Sequence, residues 1–166
     1  MLVAKAVAEK PIEAPSFSRD DYNRIAASAA IRDIKLITSK FDIQPAYFNQ
    51  IDDVKLQIDS SIETVNFVEG SGLVIAIFSY EVRGLLKRKR VLHSKASFLT
   101  VYDVPEDAIE EAAKAFCNRV GFFAAYPYFR ALSAHFADLS GAELPILPVL
   151  SSAPIKRDDQ NTDGVD

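Results

Sequence analysis

Apolar residues recur along this chain with two different periods. Between Ile31 and Tyr102 they alternate with polar residues in extended segments, each bounded by residues that favour turns. After Pro105 they recur instead at the spacing of a helix. The segments predicted as strands are 31–43, 54–68, 73–83 and 91–102. Because the connections that follow the second and third strands are short, the pattern predicts an antiparallel sheet rather than strands joined by crossover helices.

Both faces of the predicted sheet are partly apolar. The third strand places Val74, Phe78 and Tyr80 on one face, and Ile34 and Leu36 lie on one face of the first strand. The apolar residues assigned to the second face are Ile37, Phe41, Ile75, Ile77, Leu99 and Val101. Since one layer of helices covers only one face, we expect the second face to bind something else. A change of apolar side in the second strand, near Glu63 or Thr64, predicts a β-bulge.

Helices are predicted before and after the four strands along the chain. Ser18, an N-cap residue followed by acidic residues, begins a short N-terminal helix. Pro105 begins the first of two C-terminal helices, which Pro127 is expected to end or kink near Ala125. The second C-terminal helix closes at Gly141.

The predicted fold class is therefore α+β, with a four-stranded antiparallel sheet followed by two C-terminal helices and a short N-terminal helix. Residues 18–150 form this single domain. Residues 1–17 are expected to form a flexible arm, and residues 151–166 a disordered polar tail with little to bury.

The composition fits a soluble protein with one core. The chain has 166 residues, of which 49% are hydrophobic and 25% charged, and its formal charge is -4. This acidic balance disfavours a nucleic-acid partner. The single cysteine, Cys117, excludes an intrachain disulfide. No apolar run reaches the ~18 residues of a membrane span, so we predict a cytoplasmic protein without membrane insertion.

No pattern of residues predicts catalysis, a metal site or a cofactor. His93 and His135 lack partners at the spacing that metal binding or acid–base chemistry needs, and Cys117 lies on an apolar helix stripe. The basic run Lys87–Arg90 could contact phosphates. A solvated turn that prevents strand edges from aggregating is favoured, because no aromatic residues accompany the run. We therefore expect no enzyme.

Two boxes near the C-terminus resemble the SecB family of export chaperones. The box Tyr126–Arg130 is similar to the family's aromatic-Pro-Tyr-x-Arg signature, and Leu147–Val149 is similar to its Ala-Pro-Val segment. The residues that carry this likeness are Tyr126, Pro127, Tyr128, Phe129, Arg130, Leu147, Pro148 and Val149. The first strand, which precedes Pro45, also resembles the opening strand of the family. The likeness extends over residues 31–150.

This resemblance implies a homotetramer that holds unfolded polypeptides in apolar grooves without using ATP, as a holdase. It implies an oligomer interface on the last helix, at Tyr128, Phe129 and Leu132. The candidate client-binding residues are Ile37, Phe41, Ile75, Ile77, Leu99, Val101, Phe123 and Tyr126. No cofactor is implied.

The client remains open between two classes. Exporting members of the family carry a further lid helix and a tail that engages the SecA motor, whereas here Leu150 leads into a short polar tail. The added helix from Ser18 is similar instead to the SecB-like proteins that accompany toxin–antitoxin pairs, where the client is an antitoxin. Two other functions stay open. One is a small-ligand-binding protein or enzyme with a pocket between sheet and helices, and the other a nucleic-acid adaptor acting through Lys87–Arg90.

Overall fold

One four-stranded antiparallel sheet forms the centre of the computed structural model, which describes residues 16–145 and 147–149. Its strands are β1 (Ala30–Ile43), β2 (Val54–Val68), β3 (Leu73–Leu86) and β4 (Lys89–Asp103). They lie in the order β1-β4-β3-β2, so that β1 and β2 form the two edges. The predicted tail at 151–166 and residues 1–15 of the predicted arm fall outside the described residues.

Helices cover one face of this sheet, which we call the helix side. This layer consists of α1 (Arg19–Ser28), α2 (Pro45–Asn49), α3 (Glu110–Phe116) and α4 (Phe122–Ser140). The last three of these helices contact the sheet, and α1 packs against α3. A π-helical turn, Cys117–Gly121, joins α3 and α4 into one helical segment. The predicted α+β class is thus confirmed, and so are the N-cap at Ser18 and the left-handed cap at Gly141.

The predicted break near Ala125 is wrong. Pro127 lies inside α4, and the irregular turn comes earlier, at Cys117–Gly121. A Cβ atom on Gly121 would lie 3.0 Å from the Cys117 Sγ atom and 3.1 Å from the Tyr102 ring, so the turn packs closely on the sheet. A proline removes one helical hydrogen bond. Packing of α4 on the sheet outweighs that loss, because Phe122, before the proline, and Phe129, after it, are both fully buried.

Register shifts in the strands decide which side chains share a face. The predicted bulge in β2 is confirmed by a register shift between Ile62 and Thr64. Two shifts in β1, one between Ile31 and Asp33 and one between Leu36 and Thr38, were not predicted from the sequence, and the second of them decides the position of Phe41. Because one extra residue reverses the side of every later residue, Phe41 lies on the helix side, where its ring stacks on Phe136 at 5.2 Å. Its assignment to the second face was wrong.

The connection between β3 and β4 is tighter than the sequence predicts. Leu86 still pairs with Lys89, which leaves Lys87 and Arg88 as the turn. Lys87 has a φ of 58°, a left-handed conformation that a non-glycine residue adopts at a cost. Two of the four basic residues, Lys89 and Arg90, therefore belong to β4.

The core of the subunit is built around Tyr80 in the middle of β3. Its ring packs against Phe122, Tyr126 and Phe129 of α4, with centroid distances of 5.1, 5.5 and 5.5 Å. The Tyr80 hydroxyl donates a hydrogen bond to the Phe122 carbonyl. Burial raises the pKa of the Tyr80 hydroxyl well above its usual range. The space between sheet and α4 is therefore filled by aromatic rings.

Candidate binding surfaces

A partly exposed apolar strip runs along the helix side, between the edge strand β1 and α4. We call it the helix-side strip. Its members are Ile31, Leu36 and Phe41 from β1, and Tyr128, Leu132, Phe136 and Leu139 from α4. Leu36 is 48% exposed, Tyr128 55% and Leu139 70%. Exposed apolar side chains that adjoin one another in this way are typical of a binding surface.

The geometry of the strip follows from how α4 crosses the sheet. Ring contacts mark the crossing, with Phe98 to Tyr128 at 6.5 Å in its middle and Phe41 to Phe136 at 5.2 Å at its end. In α4, residues 128, 132, 136 and 139 share one face because they are three or four positions apart. Since β1 is an edge strand, its outer backbone groups have no partner strand within the described sheet. The strip therefore combines apolar side chains with an open strand edge.

The second face of the sheet carries a separate apolar cluster, which we call the outer patch. It consists of Leu73, Ile75 and Ile77 from β3 and Leu99 and Val101 from β4. Ile75 lies opposite Val101, and Ile77 opposite Leu99, as their alternation predicts. All five side chains are half-buried, and none belongs to the hydrophobic core. The structure thus brings together four of the predicted client-binding residues.

Next to the outer patch, the same face becomes polar. The buried His93 ring lies 2.7 Å from a Glu81 oxygen through Nε2, and Arg83 forms an ion pair with Asp59. The alternating polar positions of β2, β3 and β4 were the sequence signal for this network, which we did not predict. It gives His93 a hydrogen-bonded structural role.

The two boxes of the family signature contact each other. The Tyr126 hydroxyl donates a 2.7 Å hydrogen bond to the Pro148 carbonyl, and Leu147 is buried beside them. Burial is the main cause of the raised pKa of Tyr126. Arg130 turns toward the crevice between α4 and this segment, where its Nε atom is buried without a hydrogen-bond partner. The signature therefore attaches the C-terminal segment to α4.

The other predicted site residues occupy different environments. Phe129 is completely buried on Tyr80, so the structure places it in the core rather than on a surface that a second subunit could contact. Tyr126 is also buried, and Phe123 is half-buried with its ring edge-on to Phe122. Ile37 lies between the shifted registers of the β1 bulge and is 45% exposed.

Little in the described residues suggests metal or thiol chemistry. Within 16–145 and 147–149, no group of three or more His, Cys, Asp or Glu side chains is arranged to hold a metal ion. Burial raises the pKa of the Cys117 thiol to about 12, which keeps it protonated and unreactive. No helix in the part of the chain that the structure describes is long and apolar enough to cross a membrane.

Comparison with known proteins supports the fold expected from the sequence. The structure is similar to a SecB-like chaperone from Mycobacterium tuberculosis, solved in complex with a ChAD peptide from the HigA1 antitoxin. The TM-score is 0.64 at 22% identity, over 80% of this chain and 98% of that one. A protein of unknown function from Streptococcus agalactiae matches with a TM-score of 0.35, too low to support an argument. Protein-family models and curated protein sequences give no match. The chain thus has a SecB-like fold, and the resemblance read from its sequence is confirmed at that level.

Proposed function

We propose that this protein is an ATP-independent molecular chaperone, a holdase that binds unfolded polypeptides. The observation that carries the proposal is the helix-side strip, in which exposed apolar side chains adjoin the open edge of β1. An extended polypeptide can hydrogen-bond to a strand edge through its main chain, whatever its sequence. Apolar side chains beside that edge add affinity for the hydrophobic residues that an unfolded chain exposes. Such a surface favours binding of many sequences over catalysis on one substrate.

The similar structure supports a role in binding polypeptides. That SecB-like chaperone was solved with a peptide from an antitoxin. For this chain we therefore propose an antitoxin or an unfolded preprotein as client, in the cytoplasm, with SecA as a partner only in the second case. The rival function, a small-ligand pocket between sheet and helices, is disfavoured because the aromatic rings around Tyr80 fill that space. The similarity to the SecB-like chaperone also supports a non-enzymatic protein.

We further propose that the chain assembles as a homotetramer. Among the predicted interface residues, Tyr128 is exposed and Leu132 half-buried, so these two are available for contacts between subunits. Phe129 stacks on Tyr80 and so would fix α4, and with it Tyr128 and Leu132, in position on the sheet. A subunit contact through Tyr128 and Leu132 would cover that part of the helix-side strip, and the β1 members Ile31, Leu36 and Phe41 would remain as an apolar groove between subunits.

Replacement of Leu36 by Asp tests the strip. We expect Leu36→Asp to suppress aggregation of a chemically denatured client at least threefold less than the wild type at equal subunit concentration, because a carboxylate interrupts the apolar surface. Thr38→Asp is the matched control. Thr38 is also exposed and lies on the same strand, but on the opposite face of the sheet, where it pairs with Ser97.

Native mass spectrometry of both variants shows whether the oligomer is unchanged. Equal loss in the two variants would mean that added charge on β1, rather than loss of the strip, causes the effect. A wild-type protein that is folded and suppresses no aggregation would remove the proposed function.

Replacement of Ile75 by Asp tests the outer patch in the same assay. If the patch binds clients, Ile75→Asp lowers suppression about twofold or more. Asn66→Asp, at the position directly opposite Ile75 on β2, leaves it unchanged. If both variants suppress aggregation as well as the wild type, client binding is restricted to the helix side. Circular dichroism would verify that both variants stay folded, since Ile75 is half-buried.

A further inference from the structure

The hairpin between β3 and β4 ends in four consecutive cations, which we call the basic tip, Lys87–Arg90. All four side chains are exposed. In the described part of the chain, none of them forms an ion pair with an acidic side chain, although other surface bases such as Arg24, Arg32 and Lys114 do. The four cations are therefore available to an anionic partner.

The backbone of the tip favours glycine where the chain has lysine. Lys87, with a φ of 58°, is the single non-glycine residue of the described chain with a positive φ. A lysine in this conformation is strained, whereas a glycine would adopt it freely. Strained residues often lie where a side chain has a function. The turn thus holds a cation at a position for which folding favours a different residue.

The basic tip lies close to one end of the helix-side strip. Lys87, Arg88 and Lys89 line a crevice with Leu86 and Gln50. Gln50 follows α2, and this helix also contacts the segment just after α4, through a hydrogen bond from the Tyr47 hydroxyl to the Glu143 carbonyl.

The strand register gives an approximate distance from the tip to the strip. Phe41, which stacks on Phe136, lies opposite Ser94, four residues along β4 from Arg90. At about 3.3 Å per residue, this places the tip roughly 13 Å from the aromatic end of the strip. An extended peptide covers that distance with about four residues.

The distribution of charge indicates which anion suits the tip. The chain has 19 basic and 23 acidic residues, so outside the four at the tip it carries 15 basic against the same 23 acidic residues. A nucleic acid presents a long row of phosphates and needs a broad positive face. A nucleic acid bound at the tip would be repelled by the excess of acidic residues on the rest of the protein. A short acidic peptide segment can contact the tip alone.

We propose that the basic tip binds acidic side chains of a client segment whose apolar anchor occupies the Phe41–Phe136 end of the helix-side strip. The inference rests on the proposed chaperone function and adds a specificity to it. Clients with acidic residues about four positions from an aromatic or aliphatic anchor are bound in preference to clients without them. The tip also accelerates their association, because opposite charges steer encounter at long range.

Labelled peptides with one common apolar core test this proposal by fluorescence polarisation. Three Glu, three Gln or three Lys residues are placed four positions from the core, on either its N-terminal or C-terminal side. We expect at least one Glu peptide to bind about fivefold or more tightly than its Gln counterpart at low salt, and this advantage to shrink as salt is raised.

A variant with Gln at Lys87, Arg88, Lys89 and Arg90 should bind the Glu and Gln peptides equally well. The control variant carries Gln at Arg19, Lys35, Lys95 and Lys114, an equal change of charge on surfaces away from the tip. It should keep the preference for Glu.

The possible failures can be told apart. Equal binding of the Glu and Gln peptides by the wild type overturns the inference and leaves the chaperone function standing. Failure to bind any of the peptides, with no suppression of aggregation, removes both. An oligonucleotide that displaces the Glu peptide at lower concentration than an acidic peptide of equal charge also overturns the inference, since the tip would then select phosphates.

Discussion

Replacement of Phe129 by Ala is expected to lower the free energy of unfolding by about 3–5 kcal/mol. Phe129 is completely buried and stacks on Tyr80, and its ring also packs at 6.3 Å against Tyr126. Alanine would leave a cavity where sheet and α4 meet, at the centre of the core. Chemical denaturation measures the loss, and a thermal scan should show a fall in Tm of at least about 6 °C for a chain of this length.

Tyr128→Ala provides the matched control, because Tyr128 is the adjacent residue and its side chain is 55% exposed. We expect it to cost less than about 1 kcal/mol in the isolated subunit. The pair also distinguishes core from interface. If Phe129→Ala kept the stability of the subunit and only dissociated an oligomer, Phe129 would be an interface residue, as the family resemblance implies, and its placement in the core would be wrong.

Much of the sheet could be predicted from the sequence because its signals are local. Alternating apolar residues bounded by turn residues predicted β2 from Val54 to Val68, with the bounds that the structure shows. The change of apolar side within β2 predicted its bulge, confirmed between Ile62 and Thr64. In β3 and β4 the same alternation assigned the outer patch to its face.

What the sequence did not predict depends on contacts between distant segments. The bulge after Leu36 cannot be located from the sequence of β1. Apolar residues occur there on both faces, so the alternation fits a strand with the bulge and one without it equally well. The position of Phe41 follows from that bulge, so its face could not be inferred from alternation. Pro127 is a local signal for a break, and burial of α4 on Tyr80 overrides it.

The candidate site shows the same division between local and distant signals. The outer patch could be assembled from alternation alone, and the signature boxes from their sequence. The helix-side strip could not, because the exposure of Leu36 depends on how far α4 extends across β1. Phe129 and Tyr128 are adjacent in one box, and only the direction of the helix places the first in the core and the second at the surface.

A pair of glycine substitutions should show how firmly the β2–β3 turn is attached to the rest of the sheet. Gly70 and Gly72 both have positive φ, of 71° and 61°, so alanine is strained at either position. Their surroundings differ. A Cβ atom on Gly70 meets nothing within 4 Å, whereas one on Gly72 would lie 2.5 Å from the Val104 carbonyl oxygen.

We expect Gly70→Ala to cost about 1 kcal/mol from backbone strain and Gly72→Ala roughly 2 kcal/mol more, because the backbone after β4 must move. That movement would weaken the 2.8 Å hydrogen bond from the Val104 amide to the Gly72 carbonyl. Both substitutions change the entropy of the unfolded chain in the same way, so the difference between them reports the native contact. Urea denaturation of the two variants measures this difference, and equal losses would mean that the turn is free to move away from Val104.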